Sequence, residues 1–262
     1  MKMKVACLQM DISFGKPSEN YKAVEDFIHE VCQSEAKPDI IVLPEMWTTG
    51  YDLTNLNHSA DHEGIETVEF LKQLALKYHV HIVGGSVATK ANEQLLNTMI
   101  SVDKKGTHVQ NYSKLHLFKL MDEHKYLAAG SEKGNFILDG EKLAGVICYD
   151  IRFPEWIRAH VLEGAKAVFV VAEWPSPRLD HWRTLLQARA IENQCFIIAC
   201  NRVGSDPNND FAGHSMIIDP WGKILAEGGD RKESVEAVID LSEVDKVREI
   251  IPIFSDRKPE YY

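Results

Sequence analysis

Short apolar runs alternate with stretches of helical period along the whole chain, the pattern of packed α/β layers rather than of an all-β sandwich. VACLQM (5–10) predicts a strand, and residues 17–35 predict a helix with Tyr21, Val24, Phe27, Ile28 and Val31 on one face. DIIVLPE (39–45) reads as a buried strand, residues 65–78 as a second amphipathic helix, and HVHIVGGSVA (79–88) as another strand. TMISVD and THVQNYSK, joined by Lys104-Lys105-Gly106, predict a hairpin. AGVIC, KAVFVVAEW and CFIIACN are three more strands, separated by helices near 154–163 and 180–192. GHSMIIDPWGKILAEGG predicts a late hairpin turning at Asp219-Pro220-Trp221-Gly222, and residues 241–250 a short last helix. There is no tandem repeat, but a placement recurs: buried strands run into Glu45, Cys148 and Trp174 at their C-terminal ends. When such strands lie side by side, those ends gather along one edge, where α/β proteins bind ligands.

Composition narrows the reading. A chain of 262 residues, 45% of them hydrophobic and 26% charged, can bury a large core, and residues 1–262 read as a single domain. No segment approaches the roughly 18 apolar residues of a membrane span. MKMKVACLQMD lacks the long apolar stretch and cleavage site of a secretory signal, so a soluble, cytoplasmic protein is expected. A formal net charge of −10 argues against a broad basic surface, and nucleic acid is not an expected partner. The five cysteines form no CxxC pair and sit mostly in apolar runs, the usage of a reducing compartment.

Three residues have ordinary explanations when taken singly. A free cysteine usually packs as a small hydrophobe, a glutamate after a strand can be a solvated loop residue, and a lysine there is usually on the surface. Taken together they are chemically complete. A thiol becomes a strong nucleophile when a base removes its proton, a poorly solvated carboxylate can be that base, and an ammonium can stabilise the resulting oxyanion. Cys148, Glu45 and Lys114 would supply these three functions.

LPEMWTTGY, YSKLHLF and GVICYDIRFPE, in this order, resemble the Glu, Lys and Cys motifs of the nitrilase superfamily of carbon–nitrogen hydrolases. The likeness runs from KVACLQMD through HWRTLLQARAIENQ and CNRVG to GHSMIIDPWG, nearly the whole chain. The resemblance implies an α/β fold of the four-layer α-β-β-α sandwich type, a small-molecule amide substrate and no metal or other cofactor. It implies a homodimer or higher homo-oligomer in which sandwiches stack across a two-fold axis, with IRFPEWIRAH and FSDRKPEYY as candidate contacts. It also implies roles. Glu45 takes the proton of Cys148, whose thiolate attacks the amide carbon, while Lys114 and the backbone N–H of Tyr149 hold the oxyanion. Glu45 then protonates the departing ammonia and activates water against the thioester. Glu123, in KLMDEHKYLAAG, matches a second family glutamate that orients Lys114 or the substrate.

HLFKLMDEHKYLAAG, VAEWPSPRLDHWRTLLQARAIENQ and CNRVGSD are most similar to the bacterial ω-amidase branch, which hydrolyses the terminal amide of 2-oxo acids such as 2-oxoglutaramate and 2-oxosuccinamate. The alternatives are an N-carbamoyl-amino-acid hydrolase or nitrilase on the same triad, and a non-catalytic binding protein on this fold. An ω-amidase asks for apolar walls around the substrate's methylenes and a cation for its distal acid. Trp174 and Phe118 are the wall candidates and Arg178 the carboxylate candidate, while Arg152 is expected to brace the loop carrying Cys148. AEWPSPR stands where eukaryotic ω-amidases would carry a Phe-Asn-bearing loop. A zinc hydrolase is disfavoured, because neither HVH at 79–81, which reads as a strand start, nor His58 with His62 comes with an HExxH helix or paired cysteines.

Overall fold

The computed structural model describes residues 1–261. Its organisation follows from two sets of nearly continuous apolar runs, each forming three parallel strands that can be buried on both faces. In the first sheet these are Lys2–Gln9, Ile40–Val42 and His81–Ala91, extended by antiparallel Gln94–Val102 and His108–Ser113 on one side and Glu233–Asp240 on the other. In the second they are Glu141–Ile147, Ala167–Ala172 and Phe196–Asn201. Asn135–Leu138 flanks that trio on one side, and Met216–Ile218 with Ile224–Glu227 on the other, all antiparallel. The two sheets thus repeat one plan that the sequence does not display as a repeat.

Alternation along the first strand decides which face meets what. Met3, Val5 and Cys7 face the second sheet, whereas Ala6 and Leu8 pack under helices Pro17–Cys32 and Ile65–Tyr78. On the far side of the second sheet, Pro154–Leu162 and Leu179–Asn193 contribute Ile157, Val161, Trp182, Leu186 and Ala190 to the common apolar cluster. The result is the expected order of layers: helix, sheet, sheet, helix. The sheets touch directly, with the Cys200 thiol directed at the carbonyls of Leu8 and Val42 at 3.6 and 3.4 Å.

Several elements differ from the sequence reading. Strand Glu233–Asp240 pairs along the whole of Lys2–Gln9 and was not anticipated, although Val235, Ala237 and Ile239 recur in a period of two, with Val235 and Ile239 buried. Asn135–Leu138 was also missed; it turns into Glu141–Ile147 through Asp139-Gly140, both at positive φ, as a two-residue hairpin requires. A similar turn at Asn92-Glu93 joins His81–Ala91 to a strand that begins at Gln94, earlier than TMISVD implied. His79 does not start a strand: it closes the preceding helix in the left-handed conformation (φ 56°). His81 alone enters the sheet, with its Nε2 bonded to Asp139 at 3.1 Å.

Candidate active site

Strands of both sheets deliver their C-terminal ends to one place. Glu45 lies three residues past Ile40–Val42, Cys148 directly follows Glu141–Ile147, and Lys114 directly follows His108–Ser113. The Glu45 segment is seated by a close approach of backbones. Trp47 and Ser86 donate their N–H groups to Ser86 O and Pro44 O, and Trp47 Nε1 donates to Gly84 O at 2.7 Å. Gly85 makes this possible: it sits at φ 62°, and a Cβ there would lie 2.1 Å from the Pro44 carbonyl oxygen. Gly85→Ala should therefore cost at least about 2 kcal/mol of stability and lower activity by displacing Glu45. Urea unfolding beside an activity assay checks this, and a variant of unchanged midpoint would contradict it.

Glu45, Lys114 and Glu123 form a buried cluster in which the ammonium bridges two carboxylates. Lys114 Nζ is 2.8 Å from Glu45 Oε1 and 2.6 Å from Glu123 Oε1. The Tyr51 hydroxyl lies 2.8 and 2.5 Å from the same pair of oxygens, its single proton shared between them, and Asn97 Nδ2 donates to Glu45 Oε1 at 2.8 Å. Glu45 Oε2 receives the backbone N–H of Glu173, and Glu123 Oε2 that of Phe118. Burial works against the charge on Lys114, but Glu123 and Glu45 outweigh it and hold the ammonium protonated, well above the usual lysine range. Burial raises Glu123, a shift that Lys114 opposes and Glu45 reinforces.

Cys148 lies at the mouth of this cluster, 6% exposed, with φ at 44°. A left-handed non-glycine residue is strained and persists only where its surroundings over-determine it. Asp150, fully buried, supplies the constraint. Its Oδ2 accepts the Ile147 N–H and the Tyr112 hydroxyl, and its Oδ1 accepts the N–H and ring Nδ1 of His116. One carboxylate thus ties the turn after the Cys148 strand to the segment after Lys114. Burial, reinforced by Glu45 and opposed by Lys114, pushes the Cys148 thiol well above its ordinary range. A thiol held in this way needs a base beside it before it can act as a nucleophile.

A narrow cavity with roughly 10 Å³ of free volume, about one water's worth, borders Cys148, Phe118, Tyr149, Arg152, Glu173, Trp174 and Arg178. The three side chains expected to contact substrate, Trp174, Phe118 and Arg178, thus border the same cavity as the thiol, together with Tyr149, whose backbone N–H was the expected contact. Phe118 packs on Tyr149 with ring centres 4.7 Å apart, and the Arg178 guanidinium lies over the Phe118 ring. Arg152 departs from expectation: its guanidinium lies over Trp174 at 4.8 Å, bordering the cavity. The brace for the Cys148 turn is instead Arg189, whose Nε donates to Ile151 O at 2.8 Å. A wider groove of about 680 Å³ along Asn135–Leu143 contains none of these groups.

Tyr51, Asn97, Asp150 and the pair Glu173–Arg202 were not singled out from sequence. Glu173 carried a usable signal, the same one that marked Glu45: a carboxylate ending a fully apolar strand. Its Oε2 receives Arg202 Nη1 at 3.0 Å, and burial, offset by Arg202 and reinforced by Glu45, pushes its carboxyl up to about 8. Asn97 carried no such signal, because only cross-strand pairing brings it to Glu45.

The geometry agrees with what comparison with known proteins finds. Residues 4–249 match the family model described as carbon–nitrogen hydrolase. A 2-oxoglutaramate amidase of Bacillus subtilis is 58% identical over 263 residues, covering 100% of both chains. The Escherichia coli ω-amidase YafV is 36% identical over 220 residues, covering 83% of this chain and 84% of its own. Among solved structures, a CN-hydrolase superfamily protein of Xanthomonas campestris, carrying an arsenic adduct in its active site, superposes with a TM-score of 0.91 at 29% identity, covering 98% of each chain. A thiol, two carboxylates and an ammonium converging at the strand ends of a helix-sheet-sheet-helix sandwich place this chain in the carbon–nitrogen hydrolase family, as an enzyme that cleaves carbon–nitrogen bonds other than peptide bonds.

Proposed function

We propose that the protein is an ω-amidase that hydrolyses the terminal amide of a small 2-oxo acid, 2-oxoglutaramate or 2-oxosuccinamate, to the dicarboxylate and ammonia. The observation that carries the reading is the pair Arg152 and Arg178. Both border the Cys148 cavity, and among the described residues neither pairs with a carboxylate of the chain. Two guanidiniums suit the planar oxygens of an oxo acid, and the names of the B. subtilis and E. coli relatives point to the same chemistry.

In this reading Glu45 takes the Sγ proton as the S–C bond forms. The oxyanion is held by Lys114 Nζ and by the N–H of Tyr149, which lies in a first turn with no carbonyl one turn back to bond. The C–N bond then breaks as Glu45 returns the proton to nitrogen, and ammonia leaves. Water gives a proton to Glu45 and adds its OH to the thioester carbon; as the C–S bond breaks Glu45 returns that proton to sulfur, which restores both thiol and carboxylate. Glu123 holds Lys114, while Trp174 and Phe118 wall the methylenes. Residues 1–262 act as one hydrolase domain, supported by an apolar cluster that spans both sheets. Five free cysteines favour a reducing, cytoplasmic setting. Association as a homodimer through the outer helical face is supported by exposed Leu162, Ile191, Ile250 and Ile251. Of the tail FSDRKPEYY, Phe254 instead lies under Arg158 and Arg248 of its own chain, and Tyr262 is outside the described residues.

Ammonia release should favour 2-oxoglutaramate or 2-oxosuccinamate over glutamine, because an α-ammonium facing guanidiniums adds a desolvation and repulsion cost. Removing the substrate's carboxylate should cost ~2–5 kcal/mol. Arg178→Ala should show that loss on the intact substrate and little more on the truncated one. Equal loss on both would take Arg178 out of the site, and a preference for N-carbamoyl-β-alanine would overturn the substrate reading.

A further inference from the structure

Glu173 carries a carboxyl group with one oxygen committed and, among the described residues, one unpaired. Its Oε2 is held by Arg202, a cation immobilised by Asp11 Oδ1 at 2.7 Å, by the carbonyls of Ile12, Val203 and Ser205, and by the ring of Phe211. Among the described residues its Oε1 has no hydrogen-bond partner, although Glu173 is fully buried and borders the Cys148 cavity. Leaving such an acceptor unpaired is costly, and a brace for Arg202 does not need it. The same residue's backbone N–H is 2.8 Å from Glu45 Oε2, so the unused oxygen belongs to the residue that abuts the proposed base.

A primary carboxamide brings two N–H donors into this space. With its carbonyl oxygen toward Lys114 and Tyr149, its nitrogen faces the side of the site formed by Glu45 and Glu173. Cleavage requires the nitrogen to pyramidalise with its lone pair toward the proton on Glu45, so its N–H bonds must point elsewhere and find acceptors. We propose that Glu173 completes the nitrogen subsite: Oε1 accepts an N–H of the scissile carboxamide, selects for that group and turns the leaving nitrogen's lone pair toward Glu45. This rests on the amidase reading above and adds to it the residue that recognises the leaving group. Burial favours the protonated carboxyl in the free enzyme, and an N–H donor at Oε1 favours the carboxylate.

The test compares a substrate whose leaving atom carries N–H with one that lacks it: 2-oxoglutaramate against the ω-methyl ester of 2-oxoglutarate. Glu173→Gln presents its carbonyl to Arg202 and therefore its NH₂ to the cavity, donor against donor. In this variant kcat/KM for the amide should fall about tenfold or more beyond any fall for the ester. Glu173→Asp keeps the charge for Arg202 and shortens the reach, so it should shift the amide-to-ester ratio in the same sense by a smaller factor even if the Gln variant fails to fold. Equal loss on amide and ester in the variants that fold would make Glu173 a brace for Arg202 and overturn the proposal. Should the wild-type enzyme hydrolyse neither compound, the substrate reading fails on its own; butyramide and methyl butyrate then give the same ratio without an acid group and decide the role of Glu173.

Discussion

Cys148→Ala should fold and lose turnover of every carboxamide by at least about 10⁴-fold, the scale of removing a covalent nucleophile. Among the described residues the thiol is the one sulfur at the cavity: Cys7, Cys195 and Cys200 are fully buried in the apolar core, and Cys32 lies on the outer helix Pro17–Cys32. Iodoacetamide should inactivate the wild type with a single adduct, at Cys148, and leave the Ala variant unlabelled there. Stability provides an independent control. Position 148 sits at φ 44°, which alanine tolerates no better than cysteine but glycine adopts freely. Cys148→Gly should therefore unfold about 1 kcal/mol later than Cys148→Ala, while both are inactive. Substantial amidase activity in either variant would remove covalent catalysis from the mechanism.

Glu45→Gln should lower kcat by at least ~10²-fold with KM little changed, since the proposed mechanism uses Glu45 as general base in both halves of the reaction. The carboxylate now takes three donors on Oε1 and the Glu173 N–H on Oε2. Glutamine keeps one acceptor and turns an NH₂ against the Glu173 N–H, so a loss of about 1–3 kcal/mol of stability should accompany the change. The thiol should respond in the opposite sense to turnover. Glu45 is one of the charges that hold Cys148 up and Lys114 one that holds it down, so without Glu45 the thiol titrates lower. Alkylation of Cys148 should persist while amide hydrolysis is lost. That contrast separates proton delivery to nitrogen and water activation from simple thiolate formation. An effect confined to KM would assign Glu45 to binding.

The cluster around Glu45 explains why these losses are expected to be large. Glu45, Lys114, Glu123 and Tyr51 are bonded to one another in a volume closed to solvent, so removing one partner leaves others buried and unsatisfied. Substitutions here will be non-additive, and each is best read against the Cys148 variants rather than summed.

What the sequence alone determined is local. Apolar runs of strand length and helical faces of period 3.6 specify the layers, because burial of one face is decided within a few residues. Glu45, Lys114 and Cys148 were legible because a polar group directly after a buried strand has few inexpensive places to go, and because their order matches known motifs. The strand Glu233–Asp240 was missed although its alternation is plain, since short alternating runs also occur in loops and only pairing with Lys2–Gln9 gives this one a partner. The rest was decided by tertiary structure. Tyr51, Asn97 and Arg202 are ordinary polar residues until chain segments 52 residues from Glu45 in one case and 29 from Glu173 in another fold onto the same point. The strain at Cys148 depends on Asp150 reaching His116 and Tyr112, a contact between sheets that no local pattern encodes. Hydrophobic periodicity records which face is buried, but not which residue of another strand it is buried against; partner choice, and with it the chemistry of the site, is set by the register and stacking of the two sheets.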